Sequence, residues 1–131
     1  MPKTEERKTA ANVVYYYQFN NLSKAAELDP WFSAFLSSAE KLIRISRIRL
    51  QNLFSRHSED GGPAEFPVQA ARQGILQPMR AANANRLTVY FTYQDAPMAL
   101  GLTLGEWEVS VSARREDVSK LDELSALLHF E

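Results

Sequence analysis

The sequence predicts an α+β fold: an N-terminal helical hairpin, a short interrupted helix, a three-stranded antiparallel β-meander and a C-terminal helix, in one domain over residues 1–131. Three observations carry that reading. Asp29-Pro30 opens a long segment whose apolar residues recur at helical spacing. Residues 86–113 hold three runs that alternate apolar with polar. The final stretch, "REDVSKLDELSALLHF", returns to helical spacing with acids at its start.

Residues 13–19, "VVYYYQF", are β-branched and aromatic, which favours a strand. Their flanks, "TEERKTAAN" and "NLSKAAEL", favour a helix, and the spacing predicts one helix over about 5–27. Asp29 suits an N-cap and Pro30 the first helical position, so a second helix is expected over about 30–57. At about 100° per residue, Phe32, Phe35, Leu36, Ala39, Leu42, Ile43, Leu50, Leu53 and Phe54 gather on one stripe. The two helices would pair across the turn at Asp29-Pro30.

Residues 58–67, "SEDGGPAEFP", read as a loop, and 67–85 as short helical pieces broken at Gly74 and Pro78. In 86–94 the inward set is Leu87, Val89, Phe91 and Tyr93, with Thr88, Tyr90, Thr92 and Gln94 outward. In 98–104 it is Met98, Leu100, Leu102 and Leu104. In 106–113 Trp107, Val109 and Val111 point in, and Glu106, Glu108, Ser110 and Ser112 out. Asp95-Ala96-Pro97 and Gly105 supply the turns. Residues 115–130 close the chain as an amphipathic helix.

Composition narrows the function classes. The chain has no cysteine, which excludes disulfides, thiolate metal sites and cysteine nucleophiles. No apolar run is long enough to span a bilayer, and the polar start "MPKTEERKT" lacks a signal segment, so a cytoplasmic protein without membrane contact is expected. His57 and His129 lie far apart and read as surface residues. Glu106 and Glu108 share a strand face, but a solvated strand gives the same pattern. Gly61-Gly62, Gly101 and Gly105 complete no phosphate or dinucleotide motif. No catalytic residue, metal ligand or cofactor site is expected, and an enzyme built on carboxylates ranks last.

Charge is unevenly spread. Residues 41–94 hold eight Lys/Arg against three Asp/Glu, while residues 95–131 hold three against eight. The basic excess centres on "KLIRISRIRLQNLFSRH" (41–57). On a helix, Lys41, Arg44, Arg47, Arg49 and Arg56 would lie away from the core stripe, with Ile45 and Ile48 among them. Three readings compete: a solvated face balancing the acidic C-terminal third, a protein interface, or a phosphate-tracking surface. Two isoleucines on a polar face need cover, which favours a protein partner or a homodimer. The leading expectation is therefore a small non-enzymatic interaction protein that uses this helix face. The runner-up is a nucleic-acid-binding accessory protein, with outward Tyr90 as a base-stacking residue.

Overall fold

Two strands, not a helix, begin the chain. In this computed structural model, which describes residues 3–18, 25–52, 64–104 and 108–128, Lys3–Lys8 (β1) and Asn12–Gln18 (β2) form an antiparallel hairpin. Thr9 closes the turn. Its Oγ1 accepts from the backbone N–H of Asn12 at 2.9 Å and of Ala11 at 3.3 Å. Val13, Tyr15 and Tyr17 are buried while Val14 and Tyr16 are half-exposed, a period of two that only a strand produces. The expected helix over 5–27 and its helical hairpin are therefore absent, because β2 finds a long-range partner that outweighs its helix-favouring flanks.

The first helix, α1, is Leu28–Ala39, led in by a 3₁₀ turn over Ala25–Glu27. It buries Leu28, Phe32, Phe35, Leu36 and Ala39. Asp29 lies inside the first turn rather than at the N-cap, and its carboxylate serves another helix. Oδ1 accepts from the N–H of Ile75 at 2.8 Å and of Leu76 at 3.1 Å, donors otherwise orphaned at the start of α2 (Leu76–Ala81). Gly74 permits this approach: its φ is +130°, and a Cβ there would stand 3.0 Å from Asp29 Oδ2. The break expected at Gly74 is real, whereas Pro78 sits in the first turn of α2 without ending it.

The helix expected over 30–57 stops at Ala39. The N–H groups of Leu42 and Ile43 both donate to the Ala39 carbonyl, at 2.8 and 2.9 Å, and the chain turns into a strand, β3 (Arg44–Gln51). The stripe residues Leu53 and Phe54, with Arg56 and His57, lie outside the described residues. A short strand, β4 (Ala64–Phe66), pairs with β3, and a 3₁₀ segment over Val68–Gln73 leads to α2. The meander forms as β5 (Arg86–Tyr93), β6 (Ala96–Thr103) and β7 (Glu108–Arg114). Leu87, Val89, Phe91, Tyr93, Met98, Leu100, Leu102, Val109 and Val111 are buried as expected, while Leu104 is half-buried past the end of β6. Its first turn is Gln94-Asp95, both at positive φ as a two-residue hairpin requires, so Ala96 and Pro97 belong to β6. Gly105, Glu106 and Trp107 lie outside the described residues.

These three strands are the middle of a seven-stranded antiparallel sheet ordered β1-β2-β7-β6-β5-β3-β4. The α+β class and the antiparallel pairing stand; the three-stranded sheet and the helical hairpin do not. The link from β2 to β3 must pass over β7, β6 and β5, and it carries α1 across the sheet. The C-terminal helix, α3 (Val118–Leu127), follows a 3₁₀ turn over Arg115–Asp117 and buries Leu121 and Leu124 in the same core. Both helices thus cover one face of the sheet.

Tyrosines tie α3 to that face. Tyr15 donates to Asp122 Oδ1 at 2.6 Å, and Tyr93 to Glu123 Oε1 at 2.5 Å. The hydrogen bond to Glu123, then burial, pushes the Tyr93 phenol from 10.0 up to about 12; burial and Asp122 raise Tyr15 further still. A folded pKa above the unfolded value means stabilisation that is complete below pH 10 and lost as pH climbs through 12. Tyr93→Phe should cost about 1–2 kcal/mol near neutrality, as loss of a hydrogen bond to a charged group does. Denaturant titrations across pH 9–12 should show the wild type falling more steeply than the variant. Parallel curves would mean that the Tyr93 proton is not held by the fold.

Candidate functional site

The other face of the sheet is open. Val14, Tyr16, Thr88, Tyr90, Thr92, Ala99, Ser110 and Ser112 are only half-buried although they sit on inner strands. A sheet covered on one side alternates core with solvent residue by residue, so these outward positions of β2, β5, β6 and β7 display their side chains here.

The arginines reach this face through an irregularity in β3. Arg44 pairs with Thr92 and Ile45 with Phe91, but Arg47 pairs with Tyr90, so Ser46 is extra. This β-bulge is fixed by Ser46 Oγ, which donates to the Tyr90 carbonyl at 3.0 Å. Before it, Ile45 packs against the core and Arg44 faces out. After it, Ile48 and Leu50 are buried while Arg47 and Arg49 face out. Ile48 is thus a core residue, and Ile45 packs half-buried against the core, both on the side of β3 away from the arginines. Lys41 is exposed in the turn before β3, away from the strand, and Arg56 lies outside the described residues.

Register assembles the remainder. One row crosses the sheet as Arg47, Tyr90, Ala99, Ser112, Val14 and Arg7. The next runs Arg49, Thr88, Gly101, Ser110 and Tyr16. Arg114 pairs with Asn12 on the far side of Tyr90. The Arg47 guanidinium lies over the Tyr90 ring at 4.6 Å and that of Arg7 over Tyr16 at 5.3 Å, two cation–π contacts on one face. Arg47 and Arg49 share a single carboxylate, Glu65 Oε1, at 3.9 and 3.3 Å. In the acidic C-terminal third, Asp122 and Glu123 instead accept from tyrosines on the covered side.

An open recess of about 220 Å³ lies beside Tyr90, floored by Pro97, Ala99 and Ser112 and rimmed by Asn12 and Arg114. Arg114 Nε is held by Asp117 Oδ2 at 2.9 Å and Glu116 Oε1 at 3.3 Å. Of the residues singled out in the sequence, Arg44, Arg47, Arg49 and Tyr90 come together; Lys41, Ile45 and Ile48 do not join them. Arg7, Tyr16, Arg86 and Arg114 were not foreseen. Arg86 was within reach, since the alternation that turns Thr88 and Tyr90 outward also turns out residue 86.

Among the described residues, no cluster of three His, Asp or Glu side chains is placed to hold a metal ion, and no helix is long and apolar enough to cross a membrane. Comparison with protein-family models, with curated proteins and with solved structures returned no match.

Proposed function

We propose that this protein is a non-enzymatic binding protein whose open sheet face takes single-stranded nucleic acid. Arg44, Arg47 and Arg49 contact phosphates, and the Arg47–Tyr90 pair offers a flat surface for a base. One observation carries the reading: the isoleucines interleaved with these arginines turn toward the core, so the outward residues of β3 and β5 are arginine, hydroxyl and tyrosine side chains. The case for a protein partner rested on those isoleucines needing cover, and the core provides it. What remains suits a single strand, because base stacking on aromatic or guanidinium planes tolerates any sequence and phosphate contacts need only positive charge.

A protein partner at the same arginines, including a second copy of the chain, is the second reading. Glu65 between Arg47 and Arg49 favours it, since a mixed-charge patch matches a protein surface better than a phosphate chain. The two readings separate in a fluorescence anisotropy titration with labelled oligouridylate and oligothymidylate, alongside an acidic peptide of equal charge. Oligonucleotide binding is expected. Tyr90→Ala should weaken it by about 5- to 100-fold, the loss of one stacked base. Binding to the peptide alone, unchanged by Tyr90→Ala, would transfer the face to a protein partner.

A further inference from the structure

We propose that Arg86, laid flat in a notch at Gly101, is the anchoring site for one tetrahedral phosphate group on this face, and that the recess beside Tyr90 takes the attached base. The nucleotide assignment rests on the single-strand reading above; the oxyanion site stands on its own geometry.

Arg86 opens β5 and points to the open side. It does not extend into solvent but crosses to β6, where Nη1 donates to Thr103 Oγ1 at 2.8 Å. Gly101 makes room for it. A Cβ at that position would fall on Arg86 Nη2 and lie within 2.9 Å of Cζ and of Ser110 Oγ. The glycine therefore serves a close side-chain approach, in a strand where a larger residue would pack better. Unlike Arg47, Arg49 and Arg114, Arg86 forms no ion pair with a carboxylate of the described residues. A half-buried guanidinium, fixed by a neutral hydroxyl and with no carboxylate partner among the described residues, is a preorganised oxyanion receptor. The Ser110 hydroxyl on one side and Thr88, paired with Gly101, on the other add uncharged donors.

Spacing links this site to the recess. Gly101 and Ala99 are two residues apart on β6, roughly 7 Å along a strand. Ala99 pairs with Tyr90 and Ser112, and all three line the recess. A phosphate over Gly101 thus sets its nucleoside against the Tyr90 ring.

The test is a titration of ¹⁵N-labelled protein, first with inorganic phosphate and then with uridine 5′-monophosphate. Phosphate should shift the Gly101, Thr103 and Ser110 amides with saturation. The nucleotide should bind about fivefold tighter or more and add shifts at Ala99 and Ser112. Gly101→Ala should displace the tip of Arg86 and weaken phosphate binding by about tenfold or more, with little change in melting temperature, because the groups that must move, the tip of Arg86 and the Ser110 hydroxyl, are the ends of side chains. Arg86→Gln should give the same loss with Gly101 intact. Phosphate that leaves these amides unmoved, or that binds both variants as tightly as the wild type, overturns the site. Oligonucleotide binding indifferent to both variants would remove Arg86 as anchor yet leave the face a nucleic-acid surface. Phosphate binding at Gly101 without any oligonucleotide binding would do the reverse.

Discussion

Phe35→Ala is expected to lower the free energy of unfolding by about 3–5 kcal/mol, and Leu42→Ala by less than about 0.5 kcal/mol. The two residues are seven apart, so a single helix over 30–57 would stack them on one stripe and make both truncations costly. The fold separates them. Phe35 is 6% exposed, stacks on Trp31 at a centroid distance of 5.8 Å and meets Phe32 at 6.0 Å. Its removal deletes apolar burial and leaves a cavity between α1 and the sheet. Leu42 is 37% exposed in the turn that ends α1, so its methyl groups lose little on truncation. Urea denaturation of both variants, with the midpoint shifted and the slope unchanged, measures the contrast. Equal losses would restore the long helix and unseat β3.

The same contrast shows what the sequence made legible. Strands β5 to β7 could be read because each has one buried face, and strict alternation of Leu87, Val89, Phe91 and Tyr93 with polar residues has no helical counterpart. From Ile43, just before β3, the core-facing residues are Ile43, Ile45, Ile48 and Leu50, at intervals of two, three and two, with Ile45 only half-buried. The interval of three is the bulge at Ser46. It imitates helical spacing, and no glycine or proline marks the end of α1 to contradict it. In β2, Val13 to Tyr17 carry apolar side chains on both faces, so neither period stands out. The pairing of Tyr15 with Val111, nearly a hundred residues away, decides the matter, and local propensity cannot see it. The candidate site divides in the same way. Arg44, Arg47, Arg49 and Tyr90 could be named from residue type. That they share one face follows from the β3–β5 register, which the bulge sets.

Replacing Arg44 and Arg47 together with Ala should produce the second large effect, in binding rather than stability. Each phosphate neutralised on a single strand contributes about 0.7 to the slope of log affinity against log salt, so the pair should reduce that slope by about 1.4. Between 50 and 200 mM salt the wild-type advantage should then shrink about sevenfold. Stability should change by no more than about 1 kcal/mol. Arg44 is exposed, Arg47 is half-exposed at 51%, and Glu65 keeps Arg49 after Arg47 is gone. Losing the Arg47–Tyr90 contact adds only the small cost of an exposed cation–π pair. A stability loss of several kcal/mol would make these arginines structural. An unchanged slope with weaker binding at every salt concentration would point to short-range contacts with a protein rather than counterion release. A reduced slope, with Tyr90→Ala instead lowering affinity equally at all salt concentrations, would assign the charge to Arg44 and Arg47 and the stacking to Tyr90, because only the first displaces ions from the strand.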